Sequence, residues 1–311
     1  QKVFVLSLLI VVMILVLAGS FVFDPERQAA RNSVYVWLDG AFADEADVLE
    51  IKGAKGQLIL NRKNNVWVIR QDGLDYPVKH GRVEDLFDML SRRLSYPLRS
   101  RSEAALPRLG LVEDRASRIT VRGGAGQPLL DLLIGFGDAS GSDVYLRRAG
   151  SNEARSGEDL FTAFTESEKA SWFDLRLFPN LETDSVQRIK VFPLKAEDEP
   201  FSLSRSGTGW IMENSSSLVD TRSVTSWLRT IADSEGQDFV AGPGDPDFGV
   251  GSIVLEMGNG SSRTLKAGEL TEENTRNAKL SDTAYVYSLS EWAVNRIFID
   301  RNSLSAPDAE D

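Results

Sequence analysis

One local design is written twice in this chain, and that recurrence constrains its fold more than any single residue does. In the first copy, QLILNRKNNVWVI (Gln57 to Ile69) alternates apolar and polar residues around a Lys63-Asn64-Asn65 turn, the pattern of a β-hairpin with one buried face. The next segment, HGRVEDLFDMLSRRL, sets Val83, Leu86, Phe87 and Leu90 at three- and four-residue spacing. That spacing predicts a helix whose apolar stripe covers the hairpin. In the second copy, PFSLSRSGTGWIM (Pro200 to Met212) repeats the hairpin, and TRSVTSWLRTIADS repeats the helix with Val224, Trp227, Leu228 and Ile231 on one face. Trp67 and Trp210 lie 143 positions apart and Leu90 and Ile231 lie 141 apart, so the copies keep step with only a short loop difference.

The correspondence continues downstream. Leu109-Gly110-Leu111 leads into RITVRGG, and Phe248-Gly249-Val250 leads into SIVLEMG, each a glycine turn feeding a strand. SDVYLRR (Ser142 to Arg148) pairs with DTAYVYS (Asp282 to Ser288), which sets Tyr145 against Tyr285, and the helical candidates GEDLFTAFTESEKA and SLSEWAVNRI close the two units. The expected fold is α+β, with two tandem sheet-and-helix modules over residues 45–184 and 185–300 and a polar tail over 301–311. VQRIKVF opens the second module as VLEIKG opens the first.

Ahead of these modules, Val3 to Phe23 form an apolar stretch without a charge. At the helical rise its length is about 31 Å, enough to cross a hydrocarbon core. Residues 1–23 are therefore expected to be a single transmembrane helix, since a cleaved leader has a shorter apolar region. Residues 24–44 would be a juxtamembrane linker, with VYVWL (Val34 to Leu38) available as a strand or partner contact. Gln1 in place of methionine points to a start further upstream. Lys2 before the span, against Asp24 and Glu26 after it, puts the large region outside the cytoplasm.

Composition narrows the chemistry. A net charge of −11 disfavours a non-specific nucleic-acid surface, and the absence of cysteine removes disulfides and thiolate chemistry. His80 has no second histidine or cysteine with which to build a common zinc set, and no GxSxG elbow is present. Glu84 and Asp88 share a helix face at i,i+4 spacing, but opposite an apolar stripe such acids are ordinary surface. Asp159, Glu166 and Glu168 fix no geometry around a scissile bond. GGAGQ (Gly123 to Gln127) and GFGDASGSD (Gly135 to Asp143) lack the lysine of a phosphate loop, and AGPGDPDFG reads as an exposed connection. The chain is expected to be no enzyme and to need neither cofactor nor metal. Arg92, Arg93, Arg99 and Arg101 form the one notable basic cluster and are candidate partner contacts. Trp67, Trp210, Trp227 and Trp292 suit the cores, whereas Trp37 and Trp172 stand outside the repeated motifs and are the remaining contact candidates.

The segments WVI…PVKHGRVEDLFDMLSRRL, LPRLGLVEDRASRITVRGG and LLDLLIGFGDASGSDVYLRR resemble the family numbered 4340 among the domains of unknown function. The resemblance covers residues 45–300, strongest over 57–148 and looser over 200–288. In the second copy SRTLKAGELTEENTRNAKL replaces the compact LLIGFGDASGSDV segment. The resemblance implies the accessory extracytoplasmic component of a gliding-motility-type ABC transporter system, anchored in a bacterial inner or cytoplasmic membrane and facing the periplasm or cell exterior. It implies an ABC permease and separate ATPase subunits as partners. The alternative is an independent protein that binds an envelope protein or polymer.

Overall fold

The computed structural model describes residues 37–38, 40–92, 96–158, 162–165, 168–215, 218–240 and 248–305. A one-turn helix α1 (Phe42–Glu45) leads into β1 (Ala46–Gly53), β2 (Gly56–Lys63), β3 (Val66–Gln71) and β4 (Leu74–Pro77). Lys63 pairs with Val66, so Asn64 and Asn65 make a two-residue turn, and both adopt positive φ (48° and 66°). This is the tight turn whose twist suits a hairpin, and asparagine tolerates it. Helix α2 (Arg82–Ser91) then buries Val83, Leu86, Phe87 and Leu90 as its spacing predicts, with Met89 added. Strands β5 (Leu98–Ser100), β6 (Ser117–Gly123), β7 (Pro128–Gly137), β8 (Asp143–Arg148) and β9 (Ala154–Glu158) complete a nine-stranded antiparallel sheet in the order β4-β3-β2-β1-β6-β7-β8-β9-β5. A short helix α3 (Thr162–Thr165) follows it.

The second region repeats the path. It comprises β10 (Val186–Phe192), β11 (Phe201–Ser206), β12 (Gly209–Met212), α4 (Thr221–Ala232), β13 (Asp238–Phe239), β14 (Gly251–Met257), β15 (Ser262–Leu270), β16 (Thr275–Leu280), β17 (Tyr287–Ser290) and α5 (Glu291–Ile297). Its sheet order is β12-β11-β10-β14-β15-β16-β17-β13, which is the first order strand for strand once β4 is set aside. The irregularities repeat as well. Register shifts between Ala46 and Val48 on β1 and between Val186 and Arg188 on β10, and again between Ile134 and Gly137 on β7 and between Ala267 and Leu270 on β15. A bulge is a specific local device rather than a defect. Two recurring at matched positions make the duplication a property of the backbone, not only of an apolar pattern.

Burial follows from which faces the strands present. In β7, Leu130, Leu132 and Ile134 join the main core, while Leu133 points the other way into a smaller cluster with Leu106, Leu111, Ala116 and Ala154. That two-sided burial explains why PLLDLLIG reads as an almost continuous apolar run. The main core is one cluster that runs through both regions, from Leu38 and Leu60 to Leu228 and Leu289.

Four expectations are corrected. No helix among the described residues is long and apolar enough to cross a membrane, and the stretch from Val3 to Phe23 lies outside the described residues. The fold class is therefore α+β with two sheet-and-helix regions, and the transmembrane helix, the membrane-anchored role and the single-pass localisation do not stand. Tyr145 does not match Tyr285: Tyr145 lies on β8, whose counterpart is β16, whereas Tyr285 directly precedes β17. The helix expected over GEDLFTAFTESEKA is cut short, because Gly157 and Glu158 pair with β8 as part of β9 and only Thr162–Thr165 is helical. Trp292 is 68% exposed, since Val294 and Ile297 form the buried stripe of α5 and leave the indole on the opposite side.

Candidate functional site

The sequence WFDLRLF (Trp172 to Phe178) alternates large apolar residues with Asp174 and Arg176, a pattern of extended chain with two different faces. It connects the two sheets and hydrogen-bonds to both. On one side Lys79 N donates to Trp172 O at 2.8 Å, Asp174 N donates to Pro77 O at 2.9 Å, and Val78 bridges to Phe173. On the other, Leu177 N donates to Ser234 O at 2.9 Å, Gly236 N donates to Leu175 O at 2.8 Å, and Arg176 bridges to Glu235. The connection thus borrows its backbone partners from the outer edge of the first sheet and from the residues that lead into β13 of the second. Satisfying polar backbone in this way lets a connecting segment be buried.

Beneath that strand the aromatic rings of both regions meet. Tyr76 of β4 lies 4.8 Å from Phe239 of β13 and 5.7 Å from Tyr285, and Phe173 of the connection packs edge-on against Phe239 at 5.0 Å. Phe239 also contacts Tyr285 at 4.8 Å and Tyr287 at 5.0 Å. Such tilted and edge-on pairs add to the burial of the rings themselves. Burial pushes the phenols of Tyr76, Tyr285 and Tyr287 above their ordinary range, Tyr287 furthest. The Tyr287 hydroxyl donates to Arg176 O at 3.3 Å, which ties the second sheet to the connection.

Above the seam is a cleft of about 400 Å3 lined by Lys79, His80, Phe173, Asp174, Leu175, Arg176 and Glu235, with Ala170 and Ser171 at one end. Arg176 Nε and Nη2 donate to the two oxygens of Asp174 at 2.8 and 2.5 Å. Burial acts to raise the Asp174 carboxyl, but the Arg176 side chain and backbone N–H outweigh it and hold the group below its ordinary value. The hydrogen bond to Asp174 correspondingly raises Arg176. The chain's one histidine, His80, stands exposed at the rim.

The residues singled out from sequence are dispersed. Trp172 is 1% exposed, under the guanidinium of Arg82 at 4.9 Å. Trp37 is 5% exposed, tilted against Tyr96 at 5.0 Å with Arg155 at 5.7 Å, and Arg148 donates to its carbonyl. Both indoles pack rather than present a surface. Arg92 is exposed at the end of α2, and Arg93 lies outside the described residues. Arg99 Nε donates to Ser156 Oγ at 2.8 Å and lies 3.9 Å from Asp143, while Arg101 pairs with Glu153 at 3.2 Å. These carboxylates offset the basic cluster. Glu84 and Asp88 stand exposed on α2, and among the described residues no group of three or more His, Asp or Glu gathers as a metal set. Asp138 organises the GFGDASGSD loop by accepting from Ser140 N and Oγ at 3.1 and 2.7 Å. The residues that sequence reading passed over are Phe173, Asp174, Arg176 and Glu235, and the alternation of WFDLRLF was the signal that could have found the first three.

These features define a class: an antiparallel α+β protein in which a duplicated sheet-and-helix unit is joined through a hydrogen-bonded connecting strand. Within it, the chain belongs to the family described as Domain of unknown function (DUF4340), which matches residues 67–250, more than half its length. The match begins in β3 and ends just before β14, so it contains the whole seam and splits both sheets. It carries the family and no association with a transporter. No curated protein and no solved structure matches the chain.

Proposed function

We propose that this chain is a non-catalytic binding scaffold whose two sheet-and-helix regions act as one platform for partner proteins. The observation that supports it is the connecting strand: residues 172–177 are hydrogen-bonded to both regions over a shared aromatic core. A platform whose halves are already fixed loses little conformational freedom when a partner spans both, and that pre-organisation favours a large, shallow interface. The partners proposed, on the family resemblance, are an ABC permease and its separate ATPase subunit. Quantitative mass spectrometry on the full-length protein, purified in mild detergent from its native cells, tests this. The permease and the ATPase recovered at a fixed ratio to this chain are the expected result. Their reproducible absence, under conditions that preserve a control transporter complex, would refute the partner assignment and favour a separate polymer or exported protein as the bound species.

A further inference from the structure

The cleft over the connecting strand is large enough, at about 400 Å3, to hold a small organic molecule, and such sites favour the junctions between structural units. Its floor is apolar, made by Phe173, Leu175 and Ala170. Five titratable or charged side chains face it: Lys79, His80, Asp174, Arg176 and Glu235. They are not equivalent. Asp174 is committed to Arg176, which spends two of its N–H donors on the carboxylate and keeps the others for the cleft. Glu235 acts on Arg176 from the far wall. Lys79 has no carboxylate within salt-bridge distance among the described residues, and only its longer-range field reaches Asp174.

The arrangement pairs one uncompensated ammonium with an apolar floor. We propose that the cleft binds an amphipathic monocarboxylate. Its carboxylate sits on the Lys79 ammonium, beside His80 and the outer donors of Arg176, and its apolar body lies over Phe173 and Leu175. Glu235 on the opposite wall limits the cleft to a single negative charge, because a second would face it directly. The same chemistry is offered by a free organic acid and by the C-terminal carboxylate of a protein chain that ends in an apolar residue. This inference rests on the cleft alone and is independent of the partners proposed above.

Titration of the full chain with 3-phenylpropionate, monitored by calorimetry, tests the proposal, with 3-phenylpropionamide and 3-phenylpropylamine as neutral and cationic controls. A second arm uses acetyl-Ala-Leu-Phe with a free carboxylate or a C-terminal amide. Both acids are expected to bind and the amide and amine forms are not. Lys79→Met is expected to weaken binding about fivefold or more, as befits a charge-assisted hydrogen bond at a part-exposed site. Lys79→Arg should retain it and Glu235→Gln should tighten it. Circular dichroism on each variant confirms that the fold is kept. Tighter binding of the peptide acid assigns the site to chain termini, and tighter binding of phenylpropionate assigns it to free organic acids. Equal binding of the amide or amine, unchanged affinity in Lys79→Met, or no binding of either acid to the folded wild type would overturn the proposal.

Discussion

Asp174 shows how the fold sets the charge of one residue. Its carboxyl ionises at lower pH in the folded chain than in the unfolded one, because Arg176 and the backbone outweigh the opposing effect of burial. The sign follows from linkage. A depressed carboxyl stabilises the fold fully above its unfolded value, near 3.8, and that stabilisation is lost as pH falls through the lower folded value. Asp174→Asn is therefore expected to lower the urea midpoint at neutral pH, with the gap to wild type narrowing on acidification below about pH 4. A gap that stays constant from neutral to acid pH would show that the Asp174 charge contributes nothing. Gly53 is constrained for a different reason: a Cβ there would lie 1.6 Å from the carbonyl oxygen of Thr165, so the close approach of α3 to β1 admits no side chain.

At the scale of elements, α4 carries the most legible part of the fold. Val224, Trp227, Leu228 and Ile231 are all buried on its inner face, and the Trp227 indole N–H donates to Ile297 O at 2.9 Å, holding α4 against α5. Trp227→Ala is expected to cost about 3–5 kcal/mol of unfolding free energy, measured by chemical denaturation, since it opens a cavity and strands a buried acceptor. A loss below about 1 kcal/mol would mean that the site collapses around the truncation. The hairpins and helices could be read from sequence because their signals are local: alternation, three- and four-residue spacing, and an Asn-Asn turn. The strand pairing further along could not. SDVYLRR and DTAYVYS both alternate around a tyrosine, and nothing local says that the first is β8 while the second enters β17. Strand β13 has only two residues and carries no periodicity at all. The candidate site was less legible still, because the seam joins Pro77 to Lys79 with Trp172 to Asp174 and with Ser234 to Gly236, and such pairings between distant parts of the chain leave no spacing to detect.

For the whole molecule, the duplication and the seam have one joint consequence. Two copies of a unit could move independently on a loose linker, yet here the connecting strand is itself part of the hydrogen bonding of both, and Tyr76, Phe173, Phe239, Tyr285 and Tyr287 bury one another across the junction. The scaffold reading depends on that rigidity. The absence of cysteine makes it directly measurable. Spin labels on Ile59→Cys in β2 and Ile211→Cys in β12, two positions that are 44% and 52% exposed, report the separation of the sheets by pulsed electron paramagnetic resonance. A single narrow distance distribution in the otherwise unaltered chain, broadened when Phe173→Ala is added, is the predicted result. A broad or multiple distribution before that substitution would contradict the account, because the two regions would then be moving on a linker rather than held by the seam.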